Sequence, residues 1–498
     1  MIERFPRLLL GIVVVVAGCA IFDTRCQASQ LYVGGASVSI TPDQPVALSG
    51  QRHLRIATKV VTPCIATALA VETRDGERSL EQTMFVTCDL VAIRGGESFY
   101  DEVRELLDGR VPDEVVENLI INATHTHTGP VSEPGRYDIP KEGVIQPEEY
   151  RAWLMARLAD IVTEAWEKRA PAKMAWGLGH AVLAQNRRAV YANGTAKMYG
   201  GTNQSDFRGL EGNEDHGVEI LYFWNMEDQL MATAINVACP SQEVGSNRTV
   251  DADFWHPVRE SIKSKFGQDV QILAWTGAAG DQASREMYRK EAEQRMRQLR
   301  GMDGVSDLAR RIVATWEDVY EVVKQDQHTD VVHMHHAEKI QLPLRAVTED
   351  EHDNARDAIA AMSPKDPAFK WSERWHGSVV QRYQQQQKEP MFFEMELRCV
   401  RLGDIAIATN DFELFTDFGV QIKARSPAIQ TFVIQLCGSG SYIPTVRGVA
   451  GGGYSAIVES SVVGPVGAQV LVNETVKSLD TIWKRSAKSA EPKSAEQK

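Results

Sequence analysis

The residues best suited to chemistry in this sequence are two histidines separated by one residue, His125 and His127. They follow an apolar run at 119–121 that predicts a β-strand, on which residues two apart share a face. Both imidazoles are therefore expected to point to one spot, and neutral imidazole is the commonest side-chain metal ligand. Gly129 and Pro130 would end the strand at the edge of a sheet, where functional sites commonly form. The pattern favours metal binding or acid–base catalysis over two ordinary hydrogen-bonded histidines.

Three further residues that can bind a metal lie where predicted strands run into loops: Cys239, Glu413 and Tyr442. Glu413 stands between Phe412 and Leu414, and a buried carboxylate without a partner is costly, which favours a ligand role. The other two have simpler alternatives. Cys239 could be a small buried thiol, and the hydroxyl of Tyr442 could be satisfied at the rim of the core.

A short cluster of two aspartates and a histidine follows Cys239 in the sequence. Asp251, Asp253 and His256 could supply a substitute metal ligand, although residues at such positions commonly cap a helix or face solvent.

Composition and charge narrow the class of protein. The chain has 498 residues, of which 43% are hydrophobic and 24% are charged, as in an ordinary globular protein. Its formal net charge is −13, which argues against a nucleic-acid partner because phosphate binding requires a basic face. The length allows two or three average domains or one large α/β unit.

The N-terminus predicts export to the periplasm or the cell surface. Arg4 and Arg7 precede an apolar run at 8–18 that is too short to span a bilayer and is typical of a signal peptide. The residues before Cys19 resemble a lipobox, so acyl chains on that cysteine would hold the protein at a membrane surface; ordinary cleavage after Ala28 is the alternative. We therefore expect a leader at 1–28, a single domain at 29–484 and a disordered tail at 485–498.

The predicted elements place the histidines within an α/β arrangement. A nearly all-apolar strand at 84–91, a helix at about 99–107 and the strand before His125 form a β-α-β unit, whose strands are normally parallel. Asp89 and His125 would then lie near the carboxyl ends of neighbouring strands. Pro147 begins an amphipathic helix, and the runs 218–224 and 232–239 predict a hairpin. A charged, helical and solvated insertion is expected at about 285–390.

Several of these motifs, taken in order, resemble the neutral/alkaline (non-lysosomal) ceramidase family over about residues 33–480. They are Ser37-Val38-Ser39-Ile40-Thr41-Pro42, the Thr-His-Thr-His-Thr-Gly-Pro run at 124–130, the loop Gly280-Asp281, Glu413 and Tyr442. The resemblance implies a mixed α/β catalytic domain with β-sheets flanked by helices.

The resemblance also implies a zinc site made by two histidines, a glutamate and a tyrosine. His125, Glu413 and Tyr442 match three of these ligands, while Cys239 stands in the place of the second histidine. A thiolate can replace that ligand, at about 2.3 Å from zinc. His127 would lie beside the metal and carry protons, and Tyr442 could also stabilise an oxyanion.

The function implied is an exported amide hydrolase in which one Zn²⁺ per chain activates water for attack on an amide carbonyl. N-acyl sphingosine is the substrate that the family name suggests, and another lipid or small-molecule amide or ester is equally compatible. The alternative is a lipid-anchored binding protein that kept the fold and lost the chemistry. An amidohydrolase-type barrel is disfavoured because eight regular strand–helix repeats are not seen. The sequence leaves the oligomeric state open.

Overall fold

The computed structural model describes residues 29–366 and 368–490, which form 21 strands and 11 helices. The strands are β1 (Gln30–Ser39), β2 (Val46–Ala47), β3 (Ile56–Ala57), β4 (Ile65–Asp75), β5 (Arg78–Cys88), β6 (Leu119–Ala123), β7 (Ala170–His180), β8 (Gln185–Asn186), β9 (Arg188–Tyr191), β10 (Ala196–Met198), β11 (Phe207–Leu210), β12 (Gly217–Asn225), β13 (Leu230–Val237), β14 (Gln271–Thr276), β15 (Gln282–Ala283), β16 (His333–Pro343), β17 (Phe392–Leu402), β18 (Ile405–Thr409), β19 (Glu413–Leu414), β20 (Gln430–Ile434) and β21 (Tyr442–Ile443). The helices are α1 (Glu97–Leu107), α2 (Asp113–Glu117), α3 (Pro147–Glu167), α4 (Trp255–Phe266), α5 (Lys290–Arg300), α6 (Gly304–Val323), α7 (Glu349–Ala360), α8 (Phe369–Gln386), α9 (Thr416–Arg425), α10 (Val446–Gly451) and α11 (Pro465–Ala490).

The larger sheet has eight strands in the order β14-β13-β12-β7-β1-β4-β5-β6. Its inner strands pair antiparallel, whereas the two outermost pairs, β13 with β14 and β5 with β6, are parallel. The predicted β-α-β unit is therefore confirmed as β5, the intervening helices and β6. The predicted hairpin is also confirmed, since β12 and β13 pair antiparallel.

A second sheet, in the order β16-β17-β18-β20, packs against the first, and helices cover both outer faces. One apolar cluster lies between the two sheets and includes Phe85 and Phe432. One cluster packs α1 and α3 on the outer face of the larger sheet. Another packs α4 and α6 on that face. A fourth packs α9 and α11 on the smaller sheet. The predicted fold class, mixed α/β with sheets flanked by helices, is confirmed as four layers.

The region predicted as a charged helical insertion contains both helices and a strand. Helices α5 and α6 precede β16, which pairs along its whole length with β17, and α7 and α8 follow it. The strand was missed because its apolar residues are interrupted by histidines and charged residues, which mask the alternation.

The described residues begin after the predicted leader and include part of the predicted tail. The leader and Cys19 lie outside the described residues, and α11 continues to Ala490, beyond the start of the predicted tail. In the described part of the chain no helix is both long and apolar enough to cross a membrane. The cysteines there are buried and unpaired: Cys64, Cys88, Cys239, Cys399 and Cys437.

Candidate active site

The histidine pair lies just beyond the end of β6, where the chain leaves the strand conformation. β6 ends at Ala123, and His125 has φ of 67°, in the left-handed region that only a few per cent of non-glycine residues adopt. The strand alternation expected for 124–127 is therefore wrong. The two imidazoles are nevertheless neighbours, with ring centroids 4.9 Å apart in an edge-to-face arrangement. Such an unusual backbone conformation commonly marks a functional site.

The contacts of His125 fix the orientation of its ring. Nδ1 lies 2.5 Å from the carbonyl oxygen of Val91, and because a carbonyl only accepts, Nδ1–H is the donor. Nε2 lies 3.1 Å from Oε2 of Glu413 and has no hydrogen-bond partner among the described residues, although it is buried. In the neutral ring this nitrogen carries a lone pair facing a carboxylate. A proton or a cation between the two atoms would remove that conflict.

Glu413 and Tyr442 are brought together by the short parallel pair β19 and β21, in which they are direct partners. The phenol hydrogen-bonds to the carboxylate. Burial raises the pKa of Glu413, but His125, Arg187 and Tyr442 together lower it below its usual value. Burial and the neighbouring carboxylate raise the pKa of Tyr442, so the phenol keeps its proton at neutral pH.

A glycine allows the chain to approach Glu413 closely. A Cβ on Gly280 would lie 2.2 Å from the Glu413 carbonyl oxygen, far inside van der Waals contact. The Gly280 N–H donates to the carbonyl of Leu414 at 2.8 Å, and the neighbouring Asp281 carboxylate accepts from the N–H of Thr416. The Gly280-Asp281 loop thus positions the glutamate strand.

His127 is held as a neutral base at the wall of a cavity. Its Nε2 lies 2.9 Å from the side-chain nitrogen of Gln242. Desolvation lowers the pKa of His127 well below its usual value, and the nearby His125 and Arg55 lower it further. The Arg55 guanidinium donates to the His127 carbonyl, which fixes the backbone of this segment. Gly50 (φ 96°) leaves space for the ring, since a Cβ there would lie 2.4 Å from His127 Cγ.

Arg187 completes the arrangement and was not singled out from the sequence. Its guanidinium donates to the Tyr442 hydroxyl at 3.2 Å and to the Gly280 carbonyl at 2.8 Å. Burial lowers the pKa of Arg187, but Tyr199, Tyr442 and Glu413 raise it above its usual value, so the side chain is a fixed positive charge. It lies between β8 and β9, in a segment that forms the short strands β8–β11.

A cavity of about 630 Å³ opens onto these residues. His127, Arg187 and Tyr442 line its floor, together with the Gln242 side chain that contacts His127. A substrate in this cavity would therefore reach a neutral imidazole, a phenol and a guanidinium.

Cys239 does not join this set in the structure. Its Sγ faces the carbonyls of Leu183 and Pro240, at 3.6 and 3.7 Å, and the side chain belongs to the apolar cluster under α4 and α6. The reason is the alternation of β13, because Ile235 and Val237 face the same helices and Cys239 continues that series. Burial raises the pKa of the thiol, which disfavours a thiolate ligand.

The other acidic candidates stabilise loops. Asp89 forms a buried two-pronged ion pair with Arg259 at 2.6 and 2.9 Å. Asp253 accepts from the backbone N–H groups of Val244 and Phe254, and burial raises its pKa to about 7. These contacts account for both carboxylates without a metal.

The structure brings together a donor set that fits a metal ion only in part. Among residues 29–366 and 368–490, no group of three or more histidine, cysteine, aspartate or glutamate side chains is arranged to hold one. The converging donors are His125 Nε2, the Glu413 carboxylate and the Tyr442 hydroxyl. The unpartnered Nε2 facing Glu413 is the feature that a cation would explain, and three protein ligands with an open position are typical of catalytic zinc.

Comparison with known proteins identifies the fold. No family model matches the sequence, and no curated protein matches it significantly. The structure is similar to that of neutral ceramidase from Pseudomonas aeruginosa, with a TM-score of 0.66 and 15% identity over 92% of this chain and 75% of that chain. It is also similar to a structure described as ceramidase complexed with C2, with a TM-score of 0.64 and 14% identity over 92% of this chain and 76% of that chain. The family resemblance of the sequence is thus confirmed at the level of the fold.

Proposed function

We propose that this protein hydrolyses an N-acyl amide. The observation that carries the proposal is the convergence of His125, Glu413 and Tyr442 in a ceramidase-like fold. Tyr442 lines a cavity together with His127 and Arg187. N-acyl sphingosine, the substrate suggested by the family resemblance, is the reference substrate for testing it.

A divalent metal, zinc by chemical preference, is part of the proposal. His125 and Glu413 would hold it, because imidazole nitrogen and carboxylate oxygen are donors that zinc accepts. The Tyr442 hydroxyl, beside Glu413, would be the third ligand implied by the family resemblance. When bound, the ion would polarise the amide carbonyl and lower the pKa of a water molecule.

The other side chains have roles that follow from their contacts. The low pKa of His127 keeps its ring neutral, so that it would hold a proton only transiently and pass it to the leaving amine. The guanidinium of Arg187 donates to the Tyr442 hydroxyl and places a positive charge beside the position where the oxyanion would form. Val91 and Gln242 hold the two imidazoles in place.

The test is release of fatty acid from N-acyl sphingosine and from simple N-butanoyl amides by the purified protein. We expect hydrolysis that is lost with a chelator and restored by zinc, and about one zinc per chain by elemental analysis. In Glu413→Gln the side chain keeps its size and loses its charge, so both zinc and hydrolysis should be lost.

Glu394→Gln is the matched control because Glu394 lies on β17 in a surface pair with Lys339. It should retain both zinc and activity. A folded, metal-free wild type that hydrolyses no member of the panel would overturn the proposal in favour of a binding protein that has the fold without the chemistry.

A further inference from the structure

The mouth of the cavity carries guanidinium groups on a protein whose net charge is −13. Arg52 and Arg285 are exposed at the rim, and Arg187 is buried at the floor. In residues 29–366 and 368–490, no carboxylate oxygen lies close enough to Arg52 or Arg285 to form an ion pair. Two positive charges at the rim are therefore available to a ligand.

Aromatic rings hold Arg52 in place. Its guanidinium carbon lies 4.7 Å from the ring centroid of Trp371 and 4.9 Å from those of Trp375 and Tyr454. Stacking on ring faces fixes the plane of a guanidinium while its N–H edges remain free, and those edges match the two oxygens of a carboxylate. Arg285 is held in a similar way, 5.2 Å from the ring of Tyr199.

The insertion helix α8 supplies two of these rings. Lys370 forms an ion pair with Asp138, and Arg374 donates to the carbonyl of Gly135, so the start of α8 is fixed to the 133–138 loop. Trp371 and Trp375 lie on that helix, one turn apart. A helix in the segment predicted as solvated surface thus supports Arg52 at the mouth of the cavity.

Each of the two carboxylates that line the cavity has a partner within the protein. Glu286 forms an ion pair with Arg297, and Glu243 accepts from the Ser284 hydroxyl. Of the described residues that line the cavity, none is leucine, isoleucine, valine or phenylalanine. Such a lining is poorly suited to two long hydrocarbon chains and well suited to a charged, polar molecule.

We propose that the substrate of this site is an N-acyl amide with an anionic group, which Arg52 and Arg285 bind at the mouth while the amide lies near His127. This inference rests on the proposed amide hydrolysis and names the class of substrate. Water would add across the C–N bond, so that N-butanoylglycine would give butanoate and glycine.

The experiment compares N-butanoylglycine with the neutral N-butanoylethanolamine, which has nearly the same length. We expect kcat/KM to be at least about tenfold higher for the anionic amide, with most of the difference in KM, because a charge-assisted hydrogen bond discriminates by about that factor. Arg52→Gln and Arg285→Gln should each reduce this preference, and Arg52→Lys should restore it only in part, since an ammonium cannot match a carboxylate in two places.

Arg295→Gln is the control. Arg295 is exposed on α5 outside the cavity, so its variant changes the net charge equally and should keep the preference. Equal kcat/KM for the two amides, or a preference unaffected by both rim variants, would overturn the inference and leave the proposed function standing.

Binding provides an independent measurement if neither amide is hydrolysed. Calorimetric titration with N-butanoylglycine should then show binding that Arg52→Gln weakens and Arg295→Gln does not. No binding, or binding that Arg52→Gln leaves unchanged, would overturn the inference separately from the failure of the hydrolase proposal.

Discussion

Two His-x-His pairs in this protein share a sequence pattern and differ in backbone conformation and in the groups they contact. His125 and His127 follow the end of β6, beside a carboxylate and a cavity. His333 and His335 lie within β16, and both contact the same hydroxyl, that of Thr83 on β5, at 3.0 Å. The second pair joins the two sheets.

The difference shows where the alternation rule applies. In β16 the backbone is extended, so residues two apart share a face and meet one partner. After β6 the left-handed conformation of His125 redirects its ring toward Glu413, and the neighbouring Thr124 donates to the carboxylate of Asp89. The regular pair has a structural role, and the irregular pair faces the groups that can do chemistry.

The test with the largest expected effect removes one histidine from each pair. His125→Ala should lower kcat for amide hydrolysis by about 10³-fold or more, because it removes the ring that faces Glu413, and should lower the urea unfolding midpoint less than His333→Ala does. His333→Ala should lower the urea unfolding midpoint and leave kcat nearly unchanged, since its contact with Thr83 is in the core. Loss of activity in folded His333→Ala, at an unchanged midpoint, would contradict the contrast.

A second test displaces Glu413 in the candidate active site without removing any functional group of that site. Gly280→Ala forces the backbone at Glu413 to shift, and a displacement of about 1 Å can cost about 10²-fold in rate. The rate of amide hydrolysis measures the effect. Gly209→Ala is the control because a Cβ there meets no atom within 4 Å, and it should keep full activity.

A third test concerns the second pair alone. Thr83→Val removes the hydroxyl shared by His333 and His335 and leaves two buried ring nitrogens without it, so the free energy of unfolding should fall by about 2 kcal/mol. Thr83→Ser keeps the hydroxyl, so its free energy of unfolding should fall much less. Urea unfolding measures both. Equal destabilisation by the two variants would mean that methyl packing, rather than the hydrogen bonds, holds the sheets together.

A fourth test, with an expected effect of similar size, concerns the pH dependence of stability. Burial lowers the pKa of His333 to about 3, whereas an unfolded histidine titrates near about 6.5. Between these values the unfolded chain binds the extra proton, so this contribution is complete above about pH 6.5 and is lost as the pH falls toward 3. From pH 7 to pH 5 the loss from this group should be about 2 kcal/mol.

Comparison with His333→Gln isolates that contribution. The variant should unfold more easily at pH 7 but show a shallower decline of stability toward pH 5, measured by urea unfolding at each pH. An identical decline in the wild type and the variant would show that other groups account for the acid sensitivity.

Much of the fold was predictable because it follows local periodicity. The amphipathic pattern after Pro147 gave α3, and the apolar runs gave the β12–β13 hairpin and the parallel pair β5–β6. The strand β16 was missed because its histidines and charged residues mask the alternation. Arg187 was missed because its role depends on Gly280 and Tyr442, which are distant in sequence.

The sequence by itself determined which residue types stand at the strand ends, and so the identity of His125, Glu413 and Tyr442 as a candidate set. Only the tertiary structure decided which side chains meet. The pairing of β19 with β21 sets Glu413 beside Tyr442, whereas the alternation of β13 turns Cys239 into the core. The physical reason is that residue type is a local property, but convergence depends on strand register and on the direction of the side chain at each strand end.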